Sequence, residues 1–464
     1  MKIPALCPLD GRYGGRLGAL RSVMSEAAFA ASRARAECAW FEILSQLKLP
    51  RFKPLTAQER RLLADACTLC EQDLAALRAL EFDGYRNIPA TKHDVKAVEY
   101  FLKLRLQNTS LKDRLEWFHF ALTSEDVNSA AYAMLLSDGL ASALLPALEN
   151  VQKELVKLAK KEARSVLLAR THGQPAVPTT FGKEMRVFAE RLARQIGELK
   201  SRTISFKFSG AAGHYNAHCA AFPAVNWPRA SKRLAAALNK GRKIKLFLSP
   251  VSTQVDNRDS YAELFDNLRR ADVILQDFCR DMWQYVSAGL VRQKTAPGEV
   301  GSSTMPQKVN PIDFENAEGN LQLADALLEL FSRKLPASRL QRDLSDSTVL
   351  RNMAVAFGYA LTAYQSVLKG LAKISFDRPA AREELNAHPE VLAEAVQTVL
   401  RAAGYKNAYE TLRDFTRGKK MTAALFHEFI EGLAIDGPTK SRLRALTPEN
   451  FLGRAADLAE GKYD

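Results

Sequence analysis

No stretch of this sequence approaches the roughly 20 consecutive apolar residues that a membrane-spanning helix needs. The densest run, ASALLPAL from Ala141, is short and flanked by polar residues, so no membrane segment is expected. The opening MKIPALCPLDGRYGGR lacks the apolar core of an export signal, because Pro4, Pro8, Asp10 and Arg12 interrupt it. Cysteine is sparse, with six scattered along 464 residues. Without an export signal these read as reduced thiols, and the expected location is the cytoplasm. The pair Cys67 and Cys70 sits in a helical pattern with Leu62, Leu63, Ala66 and Leu69, and no second Cys or His pair lies near it, so it reads as structural. Gly at 24 and Pro at 19 are too few for a collagen-like or linker-rich chain. No GxxxxGK[ST] or GxGxxG string cradles a phosphate, and no His/Cys/carboxylate set has metal-ligand spacing. Chemistry without a metal or cofactor is therefore expected.

What is present is an ordinary globular balance, 47% apolar and 25% charged, which excludes a mostly disordered chain. The length suggests about three domains at ~150 residues each. Lys and Arg outnumber Asp and Glu by 66 to 52, a net charge of +14. Basic residues are spread along helices, and the only tight cluster is KGRKIK from Lys240. A solvated face is the plain reading of that excess. A small, strongly anionic substrate is the sharper one, and nucleic acid, which favours clustered cations with interleaved aromatics, trails both.

Helical periodicity dominates. Leu264, Leu268, Ala271, Leu275, Phe278, Met282 and Tyr285 recur in alternating steps of four and three. Similar stripes run through Leu144, Leu148, Val151, Leu155 and Leu158, and through Leu321, Ala324, Leu328 and Phe331. Helices with such stripes pack on one another as a bundle. Two-residue alternation is confined to short segments beginning at Ile204 and Ile244. The fold class is all-α. Three helical domains are expected at about 1–112, 113–372 and 373–464, the last broken by His388-Pro389, Gly404, Gly418, Gly437-Pro438 and Pro448.

Five polar strings interrupt the bundle pattern: KHDVKAVEYF from Lys92, TSEDVN from Thr123, RTHGQPAVPTTFGKE from Arg170, GSSTMPQKVNP from Gly301 and RDLSDSTVLRN from Arg342. A bundle does not need them for stability, and such segments are usually functional. Thr123 with Asp126 three residues on reads as a capping box, whose free N–H groups also suit an anion. His172, followed by Gly-Gln-Pro, is no routine helix residue, and an imidazole suits proton transfer near neutral pH. The other histidines outside the strings read as structural. Pro297, Gly298, Gly301, Pro306 and Pro311 punctuate the fourth string, a loop able to move before a helix begins. Ser302 and Ser303 are candidate nucleophiles or bases there. A serine hydroxyl is too weak a base on its own and needs Lys308 or N–H dipoles to hold its alkoxide. A bare Gly-Ser-Ser is otherwise only a surface loop.

Together these strings resemble the fumarase/aspartase superfamily of lyases, whose signature GSSTMPQKVNP is close to. The flanking strings are similar to its adenylosuccinate lyase branch in the longer bacterial form, from DGRY at Asp10 to FLGR at Phe451. The resemblance implies three helical domains, a tetrameric core of long central helices, and active sites assembled from several subunits. It implies elimination of fumarate from adenylosuccinate to give AMP, and from SAICAR to give AICAR. Both substrates carry a phosphate and two carboxylates, which suits a basic protein.

The same resemblance implies roles. Ser302 is the base, with Ser303 as the alternative, and His172 is the acid. Glu315 orients the histidine, and Lys308 and Asn310 hold substrate carboxylate. Arg12, Tyr13, Lys92, His93, Asp94, Thr123, Ser124, Gln254, Asn316, Arg342, Ser347 and Arg351 match substrate-binding positions, where arginine forks suit phosphate and carboxylate. Gln307 replaces the histidine common in the family loop and resembles the argininosuccinate lyases. Lys92 stands where asparagine is usual. The alternatives are another fumarate-releasing lyase of the superfamily, such as an argininosuccinate lyase, or a catalytically inactive structural relative.

Overall fold

The computed structural model describes residues 5–294, 305, 308–418 and 421–464. Ser302, Ser303 and Gln307 lie outside the described residues. The main helices are α1 (Glu26–Ser45), α2 (Ala57–Ala66), α3 (Asp94–Leu106), α4 (Ser124–Gly139) and α5 (Leu145–Lys161). A hairpin of β1 (Val166–Thr171) and β2 (Gln174–Thr180) follows, then α6 (Phe181–Ser201), β3 (Thr203–Phe206), α7 (Trp227–Leu238) and β4 (Lys245–Leu248). After these come α8 (Asp259–Ser287), β5 (Val291–Gln293), α9 (Ile312–Lys334), α10 (Met353–Lys373) and β6 (Ile374–Phe376), with short helices to the C-terminus. The all-α expectation is met, with three two-stranded ribbons among the described residues as minor additions. The segments from Ile204 and Ile244 do pair, as the parallel ribbon β3–β4.

The periodic stripes define the core. Leu264, Leu268, Ala271, Leu275, Phe278 and Met282 of α8 are all fully buried, as are Leu321, Ala324 and Phe331 of α9. Burying one such side chain contributes roughly 1.5–3 kcal/mol. These stripes are consumed within one chain, so they leave no apolar seam for a partner. A second set on the same long helices does: Ile312, Leu323 and Leu330 of α9 are 51%, 51% and 38% exposed, and Val187 of α6 with Val273 and Trp283 of α8 are similarly open.

One expectation needs correction. The run from Ala141 is not an isolated short stretch. Residues Ser124–Lys161 form one 38-residue helical segment, long and apolar enough to cross a membrane by length and composition. Its most apolar 18 residues are 78% buried in the protein, as befits a core helix. Continuity past Pro146 is achieved by a π-turn over Leu140–Leu144. A regular α-turn would drive the proline ring against the carbonyl four residues earlier, and the wider turn relieves this. Cys67 and Cys70 also differ from expectation. They lie at a break between helices, Cys67 ending α2 and Cys70 preceding Glu71–Phe82, because the Asp73 carboxylate accepts the Cys70 N–H at 2.9 Å and starts a new helix.

The chain divides into two compact units, each built from three segments: 1–148, 195–273 and 319–365 in the first, and 149–194, 274–318 and 366–464 in the second. In the first, Phe41 stacks on Phe118 at 4.6 Å and meets Phe52 edge-on at 4.9 Å, while Trp40 donates its indole N–H to the Phe120 carbonyl. There too His119 Nδ1 lies 2.6 Å from Oε1 of the wholly buried Glu37. In the second, Phe181 stacks on Phe376 at 4.3 Å. Its C-terminal helices enclose Leu385, Val396, Leu400, Ile430 and Leu443, against which Val166 and Leu168 of β1 pack. Side-chain caps at Asp377, Thr422 and Asp436 start these helices, two with proline in the first turn.

Two predictions follow from this packing. A Cβ at Gly182 would lie 2.4 Å from the Ala159 carbonyl oxygen and 2.6 Å from the Ala163 nitrogen, whereas Gly197 on the same helix faces open space. Gly182→Ala should therefore destabilise by about 1–3 kcal/mol. Gly197→Ala should stabilise by about 0.5–1 kcal/mol, both read from urea unfolding midpoints. Second, burial opposes the His119 charge, but Glu37 outweighs it and holds the imidazole pKa above its ordinary value. The stabilising contribution is then complete below the unfolded-state value of about 6.5 and is lost as pH rises through the folded-state value. Unfolding midpoints from pH 6 to 9 should fall in the native protein and lose that component in His119→Gln.

Candidate active site

In the first unit, helix N-termini and a buried charge network gather the expected binding residues. Thr123 precedes α4, and its N–H donates to Asp126 Oδ2 at 2.9 Å. Asp126 and Lys207 are wholly buried and 2.7 Å apart. Asp126 Oδ1 also accepts the N–H groups of Ser209 and Gly210, and Lys207 Nζ donates to the Gly210 carbonyl at 2.6 Å. The turn before α4 is thereby tied to residues 207–210. Gln254 joins that segment through a 3.0 Å bond from Nε2 to the Ala211 carbonyl.

Ser124, the first residue of α4, meets His93 Nε2 at 3.3 Å. His93 caps α3, accepting the Lys96 N–H at Nδ1. A neutral His93 therefore carries its proton on Nε2 and donates it to Ser124. Next in sequence, Asp94 Oδ2 accepts from Arg33 at 2.6 Å and from Arg351 at 2.7 Å. Burial would raise the Asp94 carboxyl pKa, but Arg33 and then Arg351 hold it below the usual carboxylate range. Arg351 keeps half of its side chain open to solvent.

Three expected residues from two separate stretches of the sequence form one hydrogen-bonded set. Arg342 donates to Gln254 Oε1 at 3.1 Å and to Ser347 Oγ at 3.3 Å. Its guanidinium also lies 3.2 Å from Glu125. Behind this set, Arg258 bridges Asp346 at 2.5 Å and Glu125 at 3.3 Å, with all three nearly solvent-free. Burial opposes the Arg258 charge, and Asp346 and Glu125 more than offset it. Arg33, Glu125, Lys207, Arg258 and Asp346 were not anticipated from sequence, and Asp126 was expected only as the capping partner of Thr123. The available signals were Glu125-Asp126 inside TSEDVN and a lysine lodged between Phe206 and Phe208. Arg12 is exposed and Tyr13 half-buried in the turn before Gly14–Arg16. Lys92 donates Nζ to the Phe82 carbonyl at 2.6 Å, at the end of a helix whose dipole favours a cation.

The second unit carries the candidate proton carrier. His172 and Gly173 form the tip of the β1–β2 hairpin, with φ of 53° and 74° and Thr171 paired to Gln174. Two positive φ values in a two-residue loop are the type I′ geometry that fits a hairpin's twist. The imidazole is exposed, and among the described residues it has no hydrogen-bond or ion-pair partner. Lys308 is likewise exposed, and its N–H donates to the Met305 carbonyl at 3.0 Å. Asn310 is half-buried just ahead of α9. In the first turn of α9, Glu315 Oε1 accepts the Trp283 indole N–H at 3.1 Å, and Asn316 Oδ1 accepts from Ser366 at 2.9 Å. No hydrogen bond or ion pair joins Glu315 and His172 among the described residues. The six cysteines are free, and no group of three metal-ligating side chains occurs among the described residues.

Chemically, the first unit offers arginine forks, hydroxyls and a helix N-terminus for an anionic ligand, and the second a titratable imidazole and an ammonium. The prediction concerns Arg258. Arg258→Ala leaves Asp346 buried without its cation and Glu125 with Arg342 alone, which costs about 3–5 kcal/mol. Urea unfolding should show that loss. Any surviving folded variant should bind anionic substrate more weakly, because Arg342 then alone answers Glu125. An unchanged midpoint would show that the network is not what holds these segments.

Two family models match the chain: one described as Lyase over residues 64–323, the other as Adenylosuccinate lyase C-terminal over 338–452. The adenylosuccinate lyase of Escherichia coli K12 is 43% identical over 461 residues, covering 99% of this chain and 98% of that protein. That of Vibrio cholerae is 42% identical over 459 residues, with the same coverage. Among solved structures, a fumarate lyase from Mesorhizobium sp. BNC1 shares the fold, with a TM-score of 0.72, 19% identity and 96% of each chain covered. With full-length identity at this level and both models matched in order, the chain belongs to the adenylosuccinate lyase family.

Proposed function

We propose that the chain eliminates fumarate from adenylosuccinate to give AMP, and from SAICAR to give AICAR, in purine biosynthesis. The observation that carries this reading is the full-length similarity to adenylosuccinate lyases, including a C-terminal model specific to them. The Arg342–Gln254–Ser347 set and the Arg351–Asp94 pair support it as a grip for phosphate and carboxylate.

The reaction removes the proton on the carbon beside a carboxylate and then breaks the carbon–nitrogen bond. We assign the first proton to Ser302, with Lys308 stabilising its alkoxide. Lys308 and Asn310 also steady the dianionic carboxylate that forms as the carbon loses its proton. The electron pair then becomes the fumarate double bond as nitrogen departs, and His172 protonates that nitrogen. Glu315 is a positioning residue, charging and orienting the imidazole in the assembled enzyme. Arg12, Tyr13, Lys92, His93, Thr123, Ser124 and Asn316 complete the substrate contacts. Assembly is the remaining part of the proposal: a homotetramer in the cytoplasm with active sites shared between chains. The exposed apolar residues Val187, Trp283, Leu323 and Leu330 on the long helices support burial against other copies.

Loss of a general acid or base costs about 10²–10⁴ in rate. His172→Ala and Ser302→Ala should each lose that much kcat in an absorbance assay of adenylosuccinate cleavage, while still binding substrate. Ser303→Ala should lose far less. Mixing the two inactive variants should restore some activity if sites are shared. Normal fumarate release from both variants would overturn the mechanism, and release from argininosuccinate instead would overturn the substrate. A stable, active monomer in sedimentation would overturn the assembly.

A further inference from the structure

The cluster of cations from Lys240 is the motif that the proposed reaction leaves unused. In the first unit it lines one side of a cavity of about 1060 Å³, far larger than the clefts near Asp94 and Arg351. None of the described residues assigned to the reaction lines it. Six cations do: Arg35 from α1, Arg60 from α2, Arg233 from α7, and Lys240, Arg242 and Lys243 from the turn after α7. Glu42 and Asp138 are the acidic residues lining it. Glu42 is taken by Arg60 at 3.1 Å and Asp138 by Arg242, while Arg233 donates to Gln46. Arg35, Lys240 and Lys243 have no hydrogen-bond or ion-pair partner for their side chains among the described residues. With Arg233 held only by a neutral amide, four of the six cations facing this concavity lack a carboxylate partner among the described residues, an arrangement that costs self-repulsion unless an anion fills it.

The rest of the lining has a different character. Ala39, Leu63, Ala236 and Ala237 add apolar surface to it, and Cys67 joins them from the end of α2. A lining that combines cations with apolar surface fits a small molecule that carries phosphates on an organic body.

We propose that this cavity is a second ligand site, distinct from the catalytic residues, for a small polyphosphate-bearing anion of the nucleoside triphosphate or inorganic polyphosphate class. Arg35, Lys240 and Lys243 hold the phosphates. The site stands independently of the reaction assigned above, because it shares no residue with it.

Cys67 supplies a reporter. Its thiol pKa is lowered to about 7, first by a hydrogen bond with Cys38 and further by Arg35, against the effect of burial. The lowering favours the thiolate, the form that reacts with iodoacetamide. An anion beside it both raises that pKa and blocks approach. The experiment alkylates the whole purified protein at pH 7 and follows each cysteine peptide by mass spectrometry. Tripolyphosphate and ATP are added in separate arms, with sodium chloride at matched ionic strength as control. The exposed Cys219 serves as internal reference.

Either probe should slow Cys67 alkylation about threefold or more at saturation, with Cys219 unchanged. Protection by tripolyphosphate alone assigns the inorganic class, and stronger protection by ATP assigns the nucleotide. The triple variant Arg35→Ala, Lys240→Ala, Lys243→Ala should lose the protection, measured as the ratio of rates with and without probe, and keep its cleavage of adenylosuccinate. The charge-keeping triple variant Arg35→Lys, Lys240→Arg, Lys243→Arg should retain protection. Protection equal to that of sodium chloride, or undiminished in the alanine variant, overturns the proposal. Protection by a short single-stranded RNA at lower concentration than either probe overturns it in favour of a nucleic-acid surface.

Discussion

Lys207 and Asp126 are the constraint from which the first unit's binding residues take their positions. Both are wholly buried, and a buried ion pair persists only when its remaining valences are filled, because desolvating each charge costs several kcal/mol. Here they are filled by backbone: the N–H groups of Thr123, Ser209 and Gly210 and the carbonyl of Gly210. That pairing fixes two chain segments against each other at backbone level, which a hydrophobic contact of the same size would not. Nearby His218 is buried against Trp227 and Trp40, at ring distances of 4.9 and 5.9 Å. Burial pushes its pKa down to about 4, so it stays neutral and adds no third charge to the pair.

A second buried charge set, anchored on the neighbouring residue Glu125, repeats the principle. Glu125 meets Arg258 and Arg342 while Asp346 meets Arg258, so four charges alternate in sign. The backbone at Arg258 is left-handed, with φ of 60°, and its N–H donates to Asp256 Oδ2 at 2.9 Å. A non-glycine residue is held there only when its surroundings over-determine it. Arg342 consequently presents its fork from a rigid base, joined to Gln254 and Ser347, rather than from a freely rotating side chain. Such preorganisation reduces the entropy lost on binding an anion.

How much of this was legible follows from the range of each interaction. The core stripes were, because a helix records its buried face every three or four residues, and Leu264 through Met282 lie where that period puts them. The cap at Thr123 was, because donor and acceptor are three residues apart. The β1–β2 hairpin was not: its turn is His-Gly rather than the usual Asn-Gly, and its strands contain Pro175 and Pro178, so it read only as a polar loop. The continuity of Ser124–Lys161 was hidden by Pro146, since a π-turn leaves no mark in hydropathy. Lys207 and Arg258 were invisible as site-builders because their partners lie 81 or more positions away: Asp126 for the first, Asp346 and Glu125 for the second. The functional strings were readable one by one, but the ties that join Gln254, Arg342 and Ser347 required coordinates.

The candidate acid His172 and the candidate alkoxide-stabilising Lys308 obey the opposite logic from the binding residues. His172 stands on an exposed hairpin tip and Lys308 on an exposed segment, and among the described residues neither side chain is held by another. Glu315 is engaged by Trp283. A general acid must be oriented to within a fraction of an ångström of the atom it protonates. An exposed imidazole without a partner does not meet that condition. On the reading advanced above, its orientation is completed by substrate and by another copy of the chain. The exposed apolar residues along the long helices then have a functional consequence. On that same reading, burial of Trp283 and Leu323 against another copy would also bring the binding residues to His172, so association and catalysis would draw on the same surface. A mutation that weakens association is then expected to lower kcat before it changes the fold of either unit.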